Sequence, residues 1–200
     1  MVEPTVSTKE VLLVIHIIGT VLGVGGATIS DIIFFKATKD KIMDRHEWGI
    51  LRSVSLVIWG GLIIAVLSGI GFLLQMDDIS NPKIWAKVTI IGVIFLNGVF
   101  LHFKIFPLFR DMLDKKIKNT QFQQNMTSVF TSGAISITSW YIVLIMGTWR
   151  GLNNTLSYWQ MLFAYCVILM VAVAVANVVG RAHIKTMYKT SKQDKSKNKK

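Results

Sequence analysis

Five apolar stretches, each long enough to cross a lipid bilayer as helix, constrain this chain more than any other feature. Between charged boundaries they run from Val11 to Phe35, Ser53 to Leu74, Ile84 to Phe103, Val129 to Trp149 and Leu156 to Gly180. A helix rises about 1.5 Å per residue, so roughly 20 residues cover a hydrocarbon core about 30 Å thick. The basic residues between the stretches are distributed unevenly. Of the 22 Lys and Arg, 18 fall in the first and third connections and the C-terminal tail. Only 4 fall in the N-terminal segment and the other two connections, with Lys87 counted beside the second. Positive charge collects on the cytoplasmic side, which puts the N-terminus outside and the C-terminus in the cytoplasm. That asymmetry requires an odd number of crossings, in agreement with five.

The expected fold is therefore all-α: a single transmembrane domain over residues 1–184, built as one bundle of five helices. At 52% hydrophobic and 16% charged residues, the composition excludes an ordinary soluble domain. The net charge of +11 implies no nucleic acid, because the cytoplasmic loops and tail carry most of it. Residues 185–200 form a Lys/Ser/Asn-rich run without apolar periodicity, expected to be disordered and attracted to anionic lipid headgroups. Glu3, Lys9 and Glu10 ahead of a first stretch of about 25 residues argue against a cleaved signal peptide. Cys166, the one cysteine, offers neither a disulfide nor a thiolate cluster within one chain.

Read at helical spacing, His16, Gly19, Thr20, Gly23, Ala27 and Ser30 share one side of the first helix, with Gly26 near its edge. The stripe has two readings. Gly-x-x-x-Gly at Gly19 and Gly23 lets helix backbones pack closely. Alternatively, the groove admits a flat group such as a porphyrin, with His16 as ligand to its iron. Ionisable residues inside membrane helices are functional candidates by default.

Depth limits the partners of His16. It lies about 8 Å into the outer leaflet, whereas His102 lies about 27 Å down the third helix. Two imidazoles on one iron need nitrogens about 4 Å apart, given bonds of about 2 Å, so these two cannot share a metal. At the depth of His16 stand Trp85 and Lys87 on the third helix, Met146 on the fourth, and Met161 and Tyr165 on the fifth. Met146 is a soft axial ligand in one reading and membrane filler in the other. Lys87 either faces the site or snorkels to the outer surface.

A second polar group gathers at the cytoplasmic helix ends, where Asp31, Arg52 and His102 reach similar depth. They read as a structural ion pair with a neighbouring imidazole, or as a binding or proton-handling site. The fourth helix carries Ser128, Ser132, Ser136 and Ser139 in one stripe with Thr131 and Thr138 beside it, suited to interhelical hydrogen bonds or to a polar cavity wall. Asn97, near the middle of the third helix, reads as a hydrogen-bond partner for a neighbour. Trp85, Trp149, Tyr158 and Trp159 mark the outer interface.

The run His16-Ile-Ile-Gly-Thr-Val-Leu-Gly-Val-Gly-Gly, Ser68-Gly69 in the second stretch, and Trp85-Ala-Lys87 leading to Asn97-Gly98 resemble a bacterial group of small membrane proteins. That group holds the copper-resistance D-type domain and the HemJ-type protoporphyrinogen oxidase. The resemblance covers about the first three helices and implies a bundle in which His16 and Lys87 face a common site, with b-type haem as cofactor. Asp31 departs from the HemJ-like pattern, which favours an aromatic residue and an arginine there. No Met-x-x-Met or His-x-His cluster supplies the soft ligands of a Cu(I) path.

Together these readings lead to a membrane protein holding haem b or a similar redox cofactor through His16, Gly19, Gly23, Lys87 and Met146, with electron transfer as its role. The alternatives are a small permease or ion-coupled carrier working through Asp31, Arg52 and His102, and a scaffold subunit. Expected partners are the lipid bilayer, and further copies of the chain or a larger membrane complex.

Overall fold

The structure, a computed structural model, describes residues 7–40, 44–110, 120–152 and 155–197. Five long helices account for most of them: α1 (Thr8–Asp40), α2 (Arg45–Leu73), α3 (Pro82–Arg110), α4 (Thr120–Thr148) and α5 (Tyr158–Lys197). A 3-10 turn at Arg150–Leu152 follows α4, and no strand occurs among the described residues. Local chemistry fixes several starts. Ser7 N–H donates to Glu10 Oε2 at 2.9 Å, and Ser157 N–H donates to Gln160 Oε1 at 2.9 Å, the reciprocal half of a capping box in both cases. At α3, Asn81 Oδ1 accepts from Lys83 N–H at 3.0 Å, with Pro82 in the first turn where its missing N–H costs nothing.

All five helices are long and apolar enough to cross a membrane, over Thr8–Lys36, Arg45–Leu73, Pro82–Arg110, Thr127–Thr148 and Tyr158–Ala182. Their outward faces carry Leu56 (69% exposed), Leu96 (68%) and Phe163 (73%) among many others. In water such a continuous apolar surface would drive aggregation; in lipid it is the expected exterior. The chain thus has the build of a multi-pass membrane protein. Two ends can be told apart: a basic end, with the α1–α2 and α3–α4 connections and the C-terminal part of α5, and an opposite end carrying exposed Trp85, Trp149 and Trp159.

α1 and α2 form the tightest pair. A Cβ on Gly19 would sit 2.7 Å from the Ala65 amide nitrogen and 2.9 Å from the Gly61 carbonyl; one on Gly61 would sit 2.7 Å from the Gly19 carbonyl. Only glycine permits that approach, which gains dispersion contacts where lipid supplies no hydrophobic force. α4 packs against α1, α3 and α5, and α5 also touches α3. The core has two parts. One, around Ala86, Ile90, Trp140, Val143 and Met146, lies toward the opposite end; the other, around Phe34, Leu51, Ile105, Phe109 and Phe130, lies at the basic end.

α3 changes character at Leu101–Ile105, a π-helical turn in which the Phe106 N–H reaches back to the Leu101 carbonyl. Pro107 accounts for it. It has no N–H for the Phe103 carbonyl, and its ring would crowd that carbonyl in a regular helix, so the preceding turn widens.

The helical backbone of α5 runs to Lys197, into the stretch beyond residue 185. Lys, Gln and Met are good helix formers and extend a helix already nucleated in the bundle. The side chains from 183 onward, and with them the expected contact of this tail with anionic lipid, lie outside the described set.

Candidate functional site

His16 faces α2. Its Nδ1 lies 3.0 Å from the Ala65 carbonyl and 2.9 Å from Ser68 Oγ, and its ring meets Phe72 edge-on at 5.9 Å between centroids. Ser68 Oγ itself donates to the Ile64 carbonyl at 2.7 Å. The Ala65 carbonyl only accepts, so Nδ1 carries the proton in that bond and Nε2 remains as the acceptor nitrogen. Lys87 on α3 is partly buried.

The groove beside His16 is filled. Gly19 lies against the α2 backbone, and Gly23 lies under the indole of Trp140, whose ring carbons would stand 2.2–2.5 Å from a Cβ there. Gly26 is likewise closed by Ile58, 2.6 Å from its would-be Cβ. The small residues of α1 thus serve helix and ring packing, and a porphyrin lying along Gly19 and Gly23 would have to displace α2 or Trp140. Met146 is buried in the core with Met161, Tyr165 and Trp140. No group of three or more His, Cys, Asp or Glu suited to a metal ion occurs among the described residues.

Asp31, Arg52 and His102 are not drawn into one cluster. Arg52 is exposed; His102 is exposed on the π turn, its ring against Phe103 and Phe106. Neither lines the cavity into which Asp31 faces. The reason is rotational: depth along the normal brings residues level, but the helical face decides whether they meet.

The fourth-helix hydroxyls divide between the two roles foreseen for them. Ser132 Oγ donates to Asn97 Oδ1 at 2.9 Å while Asn97 Nδ2 donates to the Ser132 carbonyl at 3.0 Å, a closed pair tying α3 to α4. Ser139 Oγ pairs with the Tyr165 hydroxyl at 2.8 Å, and Asn177 Nδ2 donates to Thr131 Oγ1 at 3.0 Å, tying α4 to α5. Ser136 and Thr138 instead line a cavity.

That cavity, of about 620 Å³, is the largest feature sequence reasoning missed. It lies toward the basic end, between the α1–α2 pair and α3, α4 and α5. Each helix contributes a stripe at helical spacing: Ala27, Asp31 and Phe34 from α1; Leu51, Ser55, Ile58 and Leu62 from α2; Ala172, Val175, Ala176 and Val179 from α5. The π turn supplies Leu101 and Ile105, with Phe106 and Phe109 beyond it. Asp31 is the only charged residue in the wall among the described residues. Gly133 leaves room for it: Asp31 Oδ1 lies 3.2 Å from where a Gly133 Cβ would be. Membrane interiors pack as densely as other protein interiors, so a void of this size inside a bundle is a ligand-sized site. The sequence signals were Asp31 itself and Pro107, which marks a distorted helix beside it.

Compared with protein-family models, with curated proteins and with solved structures, the chain finds no match in any of the three.

Proposed function

We propose that this is a small carrier that takes a hydrophobic solute into the cavity between its helices, oriented in a bacterial inner membrane with the basic end in the cytoplasm. The charge bias of its connections supports the orientation. One observation carries the carrier reading: a cavity of about 620 Å³, walled by side chains from all five helices and containing a single intramembrane carboxyl. Volumes of roughly 300–1,000 Å³ with apolar walls and few polar groups are those of small-molecule sites. An ionisable residue at membrane depth marks a substrate or ion path. The test is equilibrium binding of the neutral dye N-phenyl-1-naphthylamine to the protein in nanodiscs. Saturable binding above that of empty nanodiscs, abolished when Ala172→Trp fills the cavity, supports the carrier reading. Binding that never exceeds partition into lipid, or that survives Ala172→Trp intact, refutes it.

The haem reading has its own support in His16. A ring whose Nδ1–H is held by a backbone carbonyl presents Nε2 to a metal, the arrangement usual for ligating histidines. A porphyrin held through Nε2 would not need to lie along Gly19 and Gly23. A reduced-minus-oxidised absorption spectrum decides: b-type α and β bands that vanish in His16→Ala support haem, and a featureless spectrum from haem-replete cells removes it.

A further inference from the structure

Resting on the carrier reading, the geometry points to the class of solute: we infer that the cavity selects a bulky lipophilic monocation, with Asp31 as its counter-charge. Among the described residues, the wall contains one carboxylate and no lysine, arginine or histidine. Asp31, partly buried in the cavity wall, makes no hydrogen bond or ion pair with another described residue. Native proteins pair a charge held away from water, because the uncompensated charge costs several kcal/mol. An occupant of opposite sign completes the pair.

The rest of the wall fits the body of such an ion. Seven aromatic side chains line the cavity, including Phe34, Trp59, Phe106 and Phe130. Aromatic faces attract cations and repel anions through the ring quadrupole, and they do so most strongly where water is excluded. The volume of about 620 Å³ is far more than a bare metal ion or an ammonium ion requires, and Asp31 is the single carboxylate among the described residues of the wall, where a dehydrated divalent cation takes several. A large organic cation with diffuse charge and an apolar periphery meets each condition. An anion meets none, since it faces the Asp31 carboxylate.

Two ions of nearly identical shape and opposite charge separate this inference from the reading beneath it. Radiolabelled tetraphenylphosphonium and tetraphenylborate are titrated into the full chain in neutral-lipid nanodiscs, for wild type, Asp31→Asn and Asp31→Glu. The expected result is saturable phosphonium binding at least about thirtyfold tighter than borate binding, weakened at least about tenfold by Asp31→Asn and largely retained by Asp31→Glu. Monodisperse elution of both variants establishes that they fold. Equal affinity for the two ions, or undiminished phosphonium binding by Asp31→Asn, overturns the charge selectivity; if the neutral dye still binds, the carrier reading stands alone. Loss of both ions and the dye from wild type overturns the two together.

Discussion

Replacing Gly23 by alanine adds one carbon where the Trp140 indole already lies. The nearest ring carbon is 2.2 Å from the position of the new Cβ, whereas carbons in contact stand about 3.5–4.0 Å apart, so ring or helix must give by about 1.5 Å. Trp140 has little freedom to do so, being 2% exposed and packed among Ala27, Val143 and Met146. Overpacking of this kind costs about 1–3 kcal/mol. Two companions isolate the cause. Gly25→Ala, two residues away with nothing within 4 Å of its would-be Cβ, should be neutral or stabilising by up to about 1 kcal/mol through helix propensity. Trp140→Phe removes the clashing ring edge, and it loses no hydrogen bond because Trp140 Nε1 has no partner among the described residues. The double variant Gly23→Ala/Trp140→Phe should therefore be more stable than the sum of the single changes allows, with a coupling of about 1–2 kcal/mol. Unfolding by SDS in mixed micelles measures all four. Equal stability of Gly23→Ala and wild type, or strict additivity in the cycle, would refute the packing role of Gly23.

Other outcomes follow from the same geometry. Asn97→Ala removes both bonds to Ser132, leaving the buried Ser132 hydroxyl without its Asn97 partner, and should cost about 1–2 kcal/mol in the same assay, with Ser132→Ala adding little on top because the pair is already broken. Deleting Phe103, 75% exposed within the π turn, should be absorbed by that widened turn, which already carries an extra residue, and leave a monodisperse protein. Deleting Phe95 from the regular part of α3 should instead rotate everything beyond it by about 100° and cause aggregation on size-exclusion chromatography. In a Cys166→Ser background, Ser196→Cys should resist membrane-impermeant maleimide in intact spheroplasts and react in inverted vesicles; the reverse pattern would invert the topology. Asp78, fully exposed between α2 and α3, accepts from the Ser80 hydroxyl at 2.9 Å and from its N–H at 2.7 Å, which holds its carboxyl below the usual range. Its depressed folded pKa means this turn is stabilised in full above the ordinary carboxylate value and loses that contribution as pH falls through the lowered one; Asp78→Asn should flatten the acid limb of amide exchange at Ser80.

The helices were legible because a bilayer leaves few options. Length and apolarity alone gave the five spans, each displaced from its final limits by a few residues where polar ends such as Arg45–Arg52 extend the helix beyond the apolar run. Neighbour choice was less legible. The Gly19 and Gly23 spacing announced close packing, but only the structure distributes it, one glycine to the α2 backbone and the other to Trp140. Asn97 was readable as a hydrogen-bond partner because a buried amide has few alternatives; that Ser132 would complete the pair was not, since four serines shared its stripe. The cavity was hardest of all. In a membrane helix, aromatic residues facing lipid and those facing a void look alike, so Phe34, Trp59 and Phe106 gave no periodic signal, and Asp31 was grouped by depth with Arg52 and His102 on different faces.

Crystals grown in a lipidic phase and soaked with 1-bromonaphthalene would test the central claim most directly, through the anomalous signal of bromine. The account predicts a bromine peak inside the bundle, among Asp31, Ile58 and Phe106, that Ala172→Trp eliminates. Bromine found only on the lipid-facing surface, with the interior empty at saturating soak, would contradict it.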